Sequence, residues 1–84
     1  MIVSVDQSNM HEAAVIHSVS WQDSHKSFCE AAFVAAHTPE HQEAYLRQKM
    51  HDESQVFMFI AQIPVGIVSV KDSVIEDLYV LPEY

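Results

Sequence analysis

Two adjacent carboxylates, Glu76 and Asp77, interrupt an apolar stretch that runs from Val74 to Leu81 in a chain of 84 residues. Neighbouring side chains in an extended strand point to opposite faces, so this spacing sends one carboxylate to each side. A carboxylate beside an apolar groove keeps its proton to higher pH, which suits a general base working near neutrality. Glu76 is preferred to Asp77 for that role; the competing reading of each is a solvent-facing or ion-paired side chain. His17 and Trp21, four positions apart, share one face of a predicted helix, where they either line a pocket or pack beneath a sheet. Six histidines invite a metal reading, but no Cys-x-x-Cys or His-Glu-x-x-His spacing exists. His11 and His17 do not share a helical face, and Pro39 between His37 and His41 leaves only His41 helical. No metal is expected. Cys29, beside Phe28 and a run of alanines, reads as a small buried hydrophobe rather than a nucleophile.

The elements that must position these residues are legible in outline. Val74 to Leu81 has the composition of a strand, and Pro82, which cannot donate to a ladder, ends it. Val56 to Ala61 is a continuous apolar run and predicts a central strand covered on both faces. Gln62 to Val65 reads as a tight connection and Gly66 to Val70 as the returning strand, with Gly66 marking a bulge or a close backbone approach. Lys71-Asp72-Ser73 turns the chain again. Upstream, Met1 to Val5 reads as a short strand. Asn9 with Glu12 resembles a capping box, so a helix is predicted from near Met10 to between Ser20 and Ser24, with Glu12, Val15, Ile16 and Val19 on its buried face. Residues 24–37 fit either a second helix or a packed loop. Thr38 as N-cap, Pro39 at the first helical position and Glu40 near the positive dipole end predict a helix to about His51. There Glu43 and Arg47 pair, and Tyr45, Leu46 and Met50 form the buried edge. A strand, two or three helices and three closely linked strands make an α/β chain of the α+β type. It is an antiparallel meander backed by helices, in one domain spanning residues 1–84.

Composition narrows the function classes. Four basic residues against twelve acidic ones give a formal charge of −8, which leaves no positive footprint for nucleic acid. An acidic surface would steer amines and polyamines inward, though solubility is the preferred explanation of it. No apolar run is long enough to cross a bilayer, and Met1 to Asp6 lacks the basic start of a secretory signal. A lone cysteine cannot form an internal disulfide, so a cytoplasmic location is expected.

Leu78-Tyr79-Val80-Leu81-Pro82-Glu83-Tyr84 resembles the end of the fourth strand of the GNAT N-acetyltransferase superfamily. Ile16-His17-x-x-Ser20-Trp21 resembles a first-helix pattern of some small-molecule members. Element order agrees along the whole chain, while the specific motif covers only its last dozen residues. The resemblance implies the N-terminal half of an acyl-CoA N-acyltransferase fold, with acetyl-CoA as co-substrate and direct transfer to a small-molecule amine. It further implies that the backbone of Leu78, Tyr79, Val80 and Leu81 meets the pantetheine arm as an added strand would. The Val80 N–H would polarise the thioester carbonyl, Glu76 or Asp77 would take the amine's proton, and His17 and Trp21 would line the acceptor pocket. The family's pyrophosphate turn, Arg/Gln-x-x-Gly-x-Gly/Ala, is not among these residues; Gly66 is the sole glycine, and Tyr84 sits where the turn begins. The expectation is therefore a front half truncated just before that turn, inactive alone and with negligible cofactor affinity, because phosphate binding in this fold relies on helix N-terminal N–H groups. An alternative expectation is a small non-enzymatic interaction or oligomerisation module. It would use an uncovered strand with Leu78 and Val80 on one face and Ile75, Tyr79 and Leu81 on the other to recruit a second copy or the missing half.

Overall fold

The structure is a computed structural model that describes residues 1–84. Its elements in chain order are β1 (Ile2–Ser4), α1 (Met10–His25), α2 (Ala31–Ala35), α3 (Pro39–His51), β2 (Gln55–Ala61), β3 (Ile63–Lys71) and β4 (Val74–Val80). The four strands form one antiparallel sheet in the order β1-β2-β3-β4. This is the predicted α+β meander backed by three helices. Very short turns suffice between the last strands because Gln62, Asp72 and Ser73 adopt left-handed φ values of 69°, 50° and 68°. The connection after β2 is consequently tighter than the sequence implies, and Ile63 and Pro64 already belong to β3.

Register places Val3, Met58, Ile67 and Tyr79 in one row across the sheet and Val56, Ser69 and Asp77 in the next. These side chains face α1 and α3, and the core consists of Val5, Met10, Ala13, Ala14, Ile16, Leu46, Val56, Met58 and Ile67. The opposite rows hold Ile2, Phe57, Phe59, Val68, Val70, Ile75, Leu78 and Val80. No helix packs on that face. β2 is therefore central in the sheet but covered on one side only, contrary to expectation, because both long helices precede it and pack together on the same side.

The buried face of α1 also differs from the prediction. Met10, Ala13, Ala14, Ile16, His17, Ser18 and Ser20 are buried, whereas Glu12 and Val19 are exposed and Val15 is half-buried. Small side chains win this face because they let the helix axis approach the sheet and α3, and the serines satisfy their hydroxyls internally. Ser18 Oγ donates to the His37 carbonyl at 2.6 Å, and Ser20 Oγ donates to the Ile16 carbonyl one turn earlier. Asn9 does precede α1, but its side chain makes no cap bond to the helix. Its Oδ1 accepts from the Asp6 N–H at 2.7 Å and its Nδ2 donates to the Ser4 carbonyl at 3.0 Å, pinning the turn after β1. The α3 start follows the sequence reading: Thr38 Oγ1 accepts from the His41 N–H at 3.1 Å, with Pro39 in the first turn. Arg47 pairs with Glu43 at 3.0 Å as predicted and also reaches Gln7. Cys29 is half-buried rather than enclosed, since the segment before α2 lies at the surface.

Both ladders of β3 are irregular. Phe59 pairs with Gly66 but Ile60 with Pro64, so Val65 is an extra residue on β3. A Cβ on Gly66 would stand 2.8 Å from the Phe59 ring and 3.0 Å from the Tyr79 carbonyl oxygen. The absence of a side chain thus lets β4 lie close against β3 just before its free end. Gly66→Val should therefore destabilise the fold by about 1–3 kcal/mol in urea unfolding; an unchanged midpoint would show that β4 does not sit this close.

Candidate functional site

A cavity of about 130 Å³ opens between α1, the start of α3 and β4, lined by His17, Trp21, His37, His41, Gln42, Tyr45, Asp77 and Tyr79. Two helical pairs at i, i+4 supply opposite walls: His17 and Trp21 from α1, His41 and Tyr45 from α3. β4 closes the floor with Asp77 and Tyr79, which alternate onto the helix-facing side. Trp21 is held on both sides, stacked on His25 at 3.9 Å and on His37 at 3.5 Å between ring centroids. The His37 backbone is anchored in turn, its carbonyl accepting from Ser18 Oγ and from Gln22 Nε2 at 2.8 Å. His37 and His41 come together after all, ring centroids 4.8 Å apart, because the turn before Pro39 folds His37 back over the first turn of α3. No three His, Cys, Asp or Glu side chains converge as metal ligands.

Sequence alternation sends Glu76 and Asp77 to opposite faces, and the structure overturns this. Ser69 pairs with Asp77 while Val70 pairs with Ile75, which leaves Glu76 as an extra, bulged residue. A bulge places two residues of one strand against one of its neighbour and breaks the two-residue period. Both carboxylates consequently turn toward α3, and Ile75 moves to the helix-free face beside Leu78 and Val80. Lys49 Nζ meets Glu76 Oε1 at 2.7 Å and stands 3.6 Å from Asp77 Oδ2. Glu76 also accepts from Ser54 Oγ at 3.2 Å. The Lys49 ammonium holds the Glu76 carboxyl below its ordinary value, the reverse of the raised pKa expected for a base in an apolar groove. Asp77 is the carboxylate that reaches the cavity. Its oxygens accept from the Tyr45 hydroxyl at 3.1 and 3.2 Å and from Ser69 Oγ.

His17 sits at the back of the cavity, 2% exposed, with its ring between Tyr45 and Tyr79 at 5.4 and 5.0 Å. Burial pushes its pKa down to about 4, against the opposing pull of the Asp77 charge. It is therefore a neutral imidazole near pH 7, and its Nδ1 has no hydrogen-bond partner. Burial also raises both tyrosines, Tyr45 and Tyr79, with Asp77 adding to the effect.

β4 is the last strand of the sheet and pairs with β3 alone. The Leu81 N–H donates to the Val65 carbonyl at 2.8 Å. Because bonded and non-bonded pairs alternate in an antiparallel ladder, Tyr79 also turns its amide to β3, and the amides of Leu78 and Val80 face the open edge. Their side chains are 55% and 42% exposed on the helix-free face. One strand thus carries a polar cavity wall on its helix side and unpaired backbone donors and acceptors along its rim. Of the residues singled out from sequence, His17, Trp21, Asp77 and Tyr79 converge on the cavity, Leu78 and Val80 define the rim, Leu81 pairs with β3, and Glu76 stands outside. His37, His41, Gln42 and Tyr45 are lining residues that the sequence reading does not assign to a pocket; His41 and Tyr45 repeat on α3 the i, i+4 spacing of His17 and Trp21, but which face of α3 meets α1 is set by docking.

No family model and no curated protein matches this sequence. Among solved structures, a GCN5-related N-acetyltransferase described as "Aminotransferase, Class-II" from Rhodopseudomonas palustris superposes with a TM-score of 0.77 at 19% identity. The match covers 100% of this chain and 54% of that one, so the chain spans about half the length of the structure it resembles. The likeness establishes a GNAT-like fold for the strands and helices described above.

The buried His17 gives the pH dependence of stability a definite sign. The unfolded chain protonates this ring near pH 6.5, the folded chain only near pH 4. Between those values the unfolded state binds more protons, so the ring's contribution is intact above pH 6.5 and is lost as pH falls toward 4. Relative to His17→Leu, the parent protein should lose about 2–3 kcal/mol of unfolding free energy between pH 7 and pH 4. Parallel pH profiles for the two proteins would place His17 in contact with solvent.

Proposed function

We propose that this chain supplies the acceptor pocket and one lip of the coenzyme cleft in an N-acetyltransferase, which transfers acetyl directly from acetyl-CoA to a small amine. The observation that carries this reading is the alternation along β4, which sets a carboxylate-floored cavity and an unpaired backbone edge on consecutive residues in a GNAT-like sheet. Transfer requires the amine nitrogen to attack the thioester carbonyl carbon, the carbon–sulfur bond to break with sulfur leaving as thiolate, and the amine to give up a proton. The Leu78 and Val80 edge fits the amide-bearing pantetheine arm, which can pair with a free strand edge as a peptide does. In this reading the Val80 N–H donates to the thioester oxygen as charge develops there.

Asp77 is the better placed of the two carboxylates to receive the amine's proton, since it faces the cavity while Glu76 is engaged by Lys49 and Ser54. Tyr45 and Ser69 hold the Asp77 carboxylate in place through its oxygens. Lys49 pairs closely with Glu76 at 2.7 Å and more loosely with Asp77 at 3.6 Å, so Asp77 is the less neutralised of the two. His17 and Trp21 serve as walls. Acetyl-CoA is the co-substrate in this reading, and these residues offer its phosphates no glycine-rich turn.

The test is a nitrogen-15 correlation spectrum of the protein titrated with acetyl-CoA. Weak, millimolar binding is expected, with the amide shifts concentrated at Leu78 and Val80 and no acetyl transfer by these residues alone. Shifts confined to other elements, or none at roughly 10-fold molar excess, would contradict a coenzyme lip on β4.

A further inference from the structure

The lining of the cavity says which end of a ligand it accepts. We propose that it is a seat for a compact aliphatic ammonium group, recognised while still charged, and that it excludes anionic amines such as amino acids. This deepens the reading above by specifying the acceptor, and rests on that reading only for calling the bound amine an acceptor.

Charge is the first argument. Lys49 is the only cation within ion-pair distance of the two adjacent carboxylates, 2.7 Å from Glu76 and 3.6 Å from Asp77; Lys71 acts on Glu76 from farther away. The carboxylate left over is Asp77, which forms part of the cavity lining, whereas Lys49 and Glu76 do not. A ligand cation completes the balance. No lysine or arginine lines the cavity while Asp77 does, so a carboxylate or phosphate on the ligand would meet a carboxylate with no lysine or arginine to offset its lost hydration.

Hydrogen bonding and shape give the second argument. His17 is neutral and 2% exposed, and its Nδ1 has no partner in the protein. The Asp77 carboxylate in the wall calls for donors from the ligand, and an ammonium brings three. The rings of Tyr45 and Tyr79 add faces that attract a cation within about 6 Å; Lys49 Nζ already lies 5.7 Å from the centre of the Tyr45 ring. The volume of about 130 Å³ sets the size. A cavity of about 150 Å³ holds benzene, so five or six non-hydrogen atoms fit, an alkylammonium of about four or five carbons.

Trp21 is the only tryptophan and lines the cavity, so its fluorescence reports occupancy without cofactor or turnover. The probes are n-butylammonium, n-butanol, butyrate and 4-aminobutyrate, titrated at about pH 8, where the amines are still charged. Butylammonium should give a saturable change in the millimolar range, with butanol, butyrate and 4-aminobutyrate at least roughly 10-fold weaker. Asp77→Asn should weaken butylammonium by about 10-fold or more, and Lys49→Met, which removes the competing cation but leaves Asp77, should tighten it several-fold; circular dichroism checks that both variants fold. Equal responses to butylammonium and butanol, or butylammonium binding that neither variant alters, would overturn the proposal. The outcomes separate the two readings: butylammonium binding with no coenzyme contact at Leu78 and Val80 sinks the acetyltransferase alone. Coenzyme contact there with no preference for the cation sinks the ammonium seat alone.

Discussion

The structure turns on how β4 is held against β3. The bulge at Glu76 lets two adjacent carboxylates reach the same side of the sheet, where Lys49 on α3 bridges them. A regular strand would have left Asp77 on the helix side alone, with no second acid to engage Lys49. With the bulge, Glu76 takes the lysine and Asp77 keeps its place at the cavity floor. The same shift exchanges the faces of the residues before it, which is why Ile75 joins Leu78 and Val80 on the side without helices. Gly66 then lets β4 run close to β3 up to its end, so that the far edge of β4 stays the free one.

Around that strand the helices are arranged for proximity. Ala13, Ala14, Ser18 and Ser20 on α1 carry little bulk, and the axis comes near enough for His17 to touch Tyr79 on the sheet and Tyr45 on α3. Gln22 and Ser18 tie the His37 carbonyl to α1, which fixes the loop before Pro39 and presses His37 against Trp21. The cost of this polar interior is a histidine without a partner for Nδ1. A buried group in that state is expensive in an inert core and ordinary beside a binding cavity. The helix-free face of the sheet is the other unusual surface: it is apolar from Ile2 through Phe57 and Phe59 to Leu78 and Val80.

Much of the fold was legible from sequence because its signals are local. Thr38-Pro39 starts α3 through a hydroxyl and a fixed φ, and the runs of Val, Ile and Phe define β2 to β4 whatever surrounds them. The face of α1 was misread because hydrophobicity favours Val15 and Val19, whereas packing distance favours alanine and serine; size at a helix crossing is a tertiary quantity. The faces of Glu76 and Asp77 were misread because a bulge is a property of two paired strands and has no signature in one of them. His17 and Trp21 could be named as possible pocket residues, since four-residue spacing on one helix is local. Their companions Gln42 and Tyr45 depend on how α3 docks on α1, which no short window contains.

Amide hydrogen exchange along β4 tests the arrangement at its root. Tyr79 and Leu81, whose N–H groups turn to β3, should be protected, while Leu78 and Val80, facing the open edge, should exchange orders of magnitude faster. Uniform protection from Leu78 through Leu81 would mean that the edge is already paired, and the coenzyme lip assigned to it would not exist.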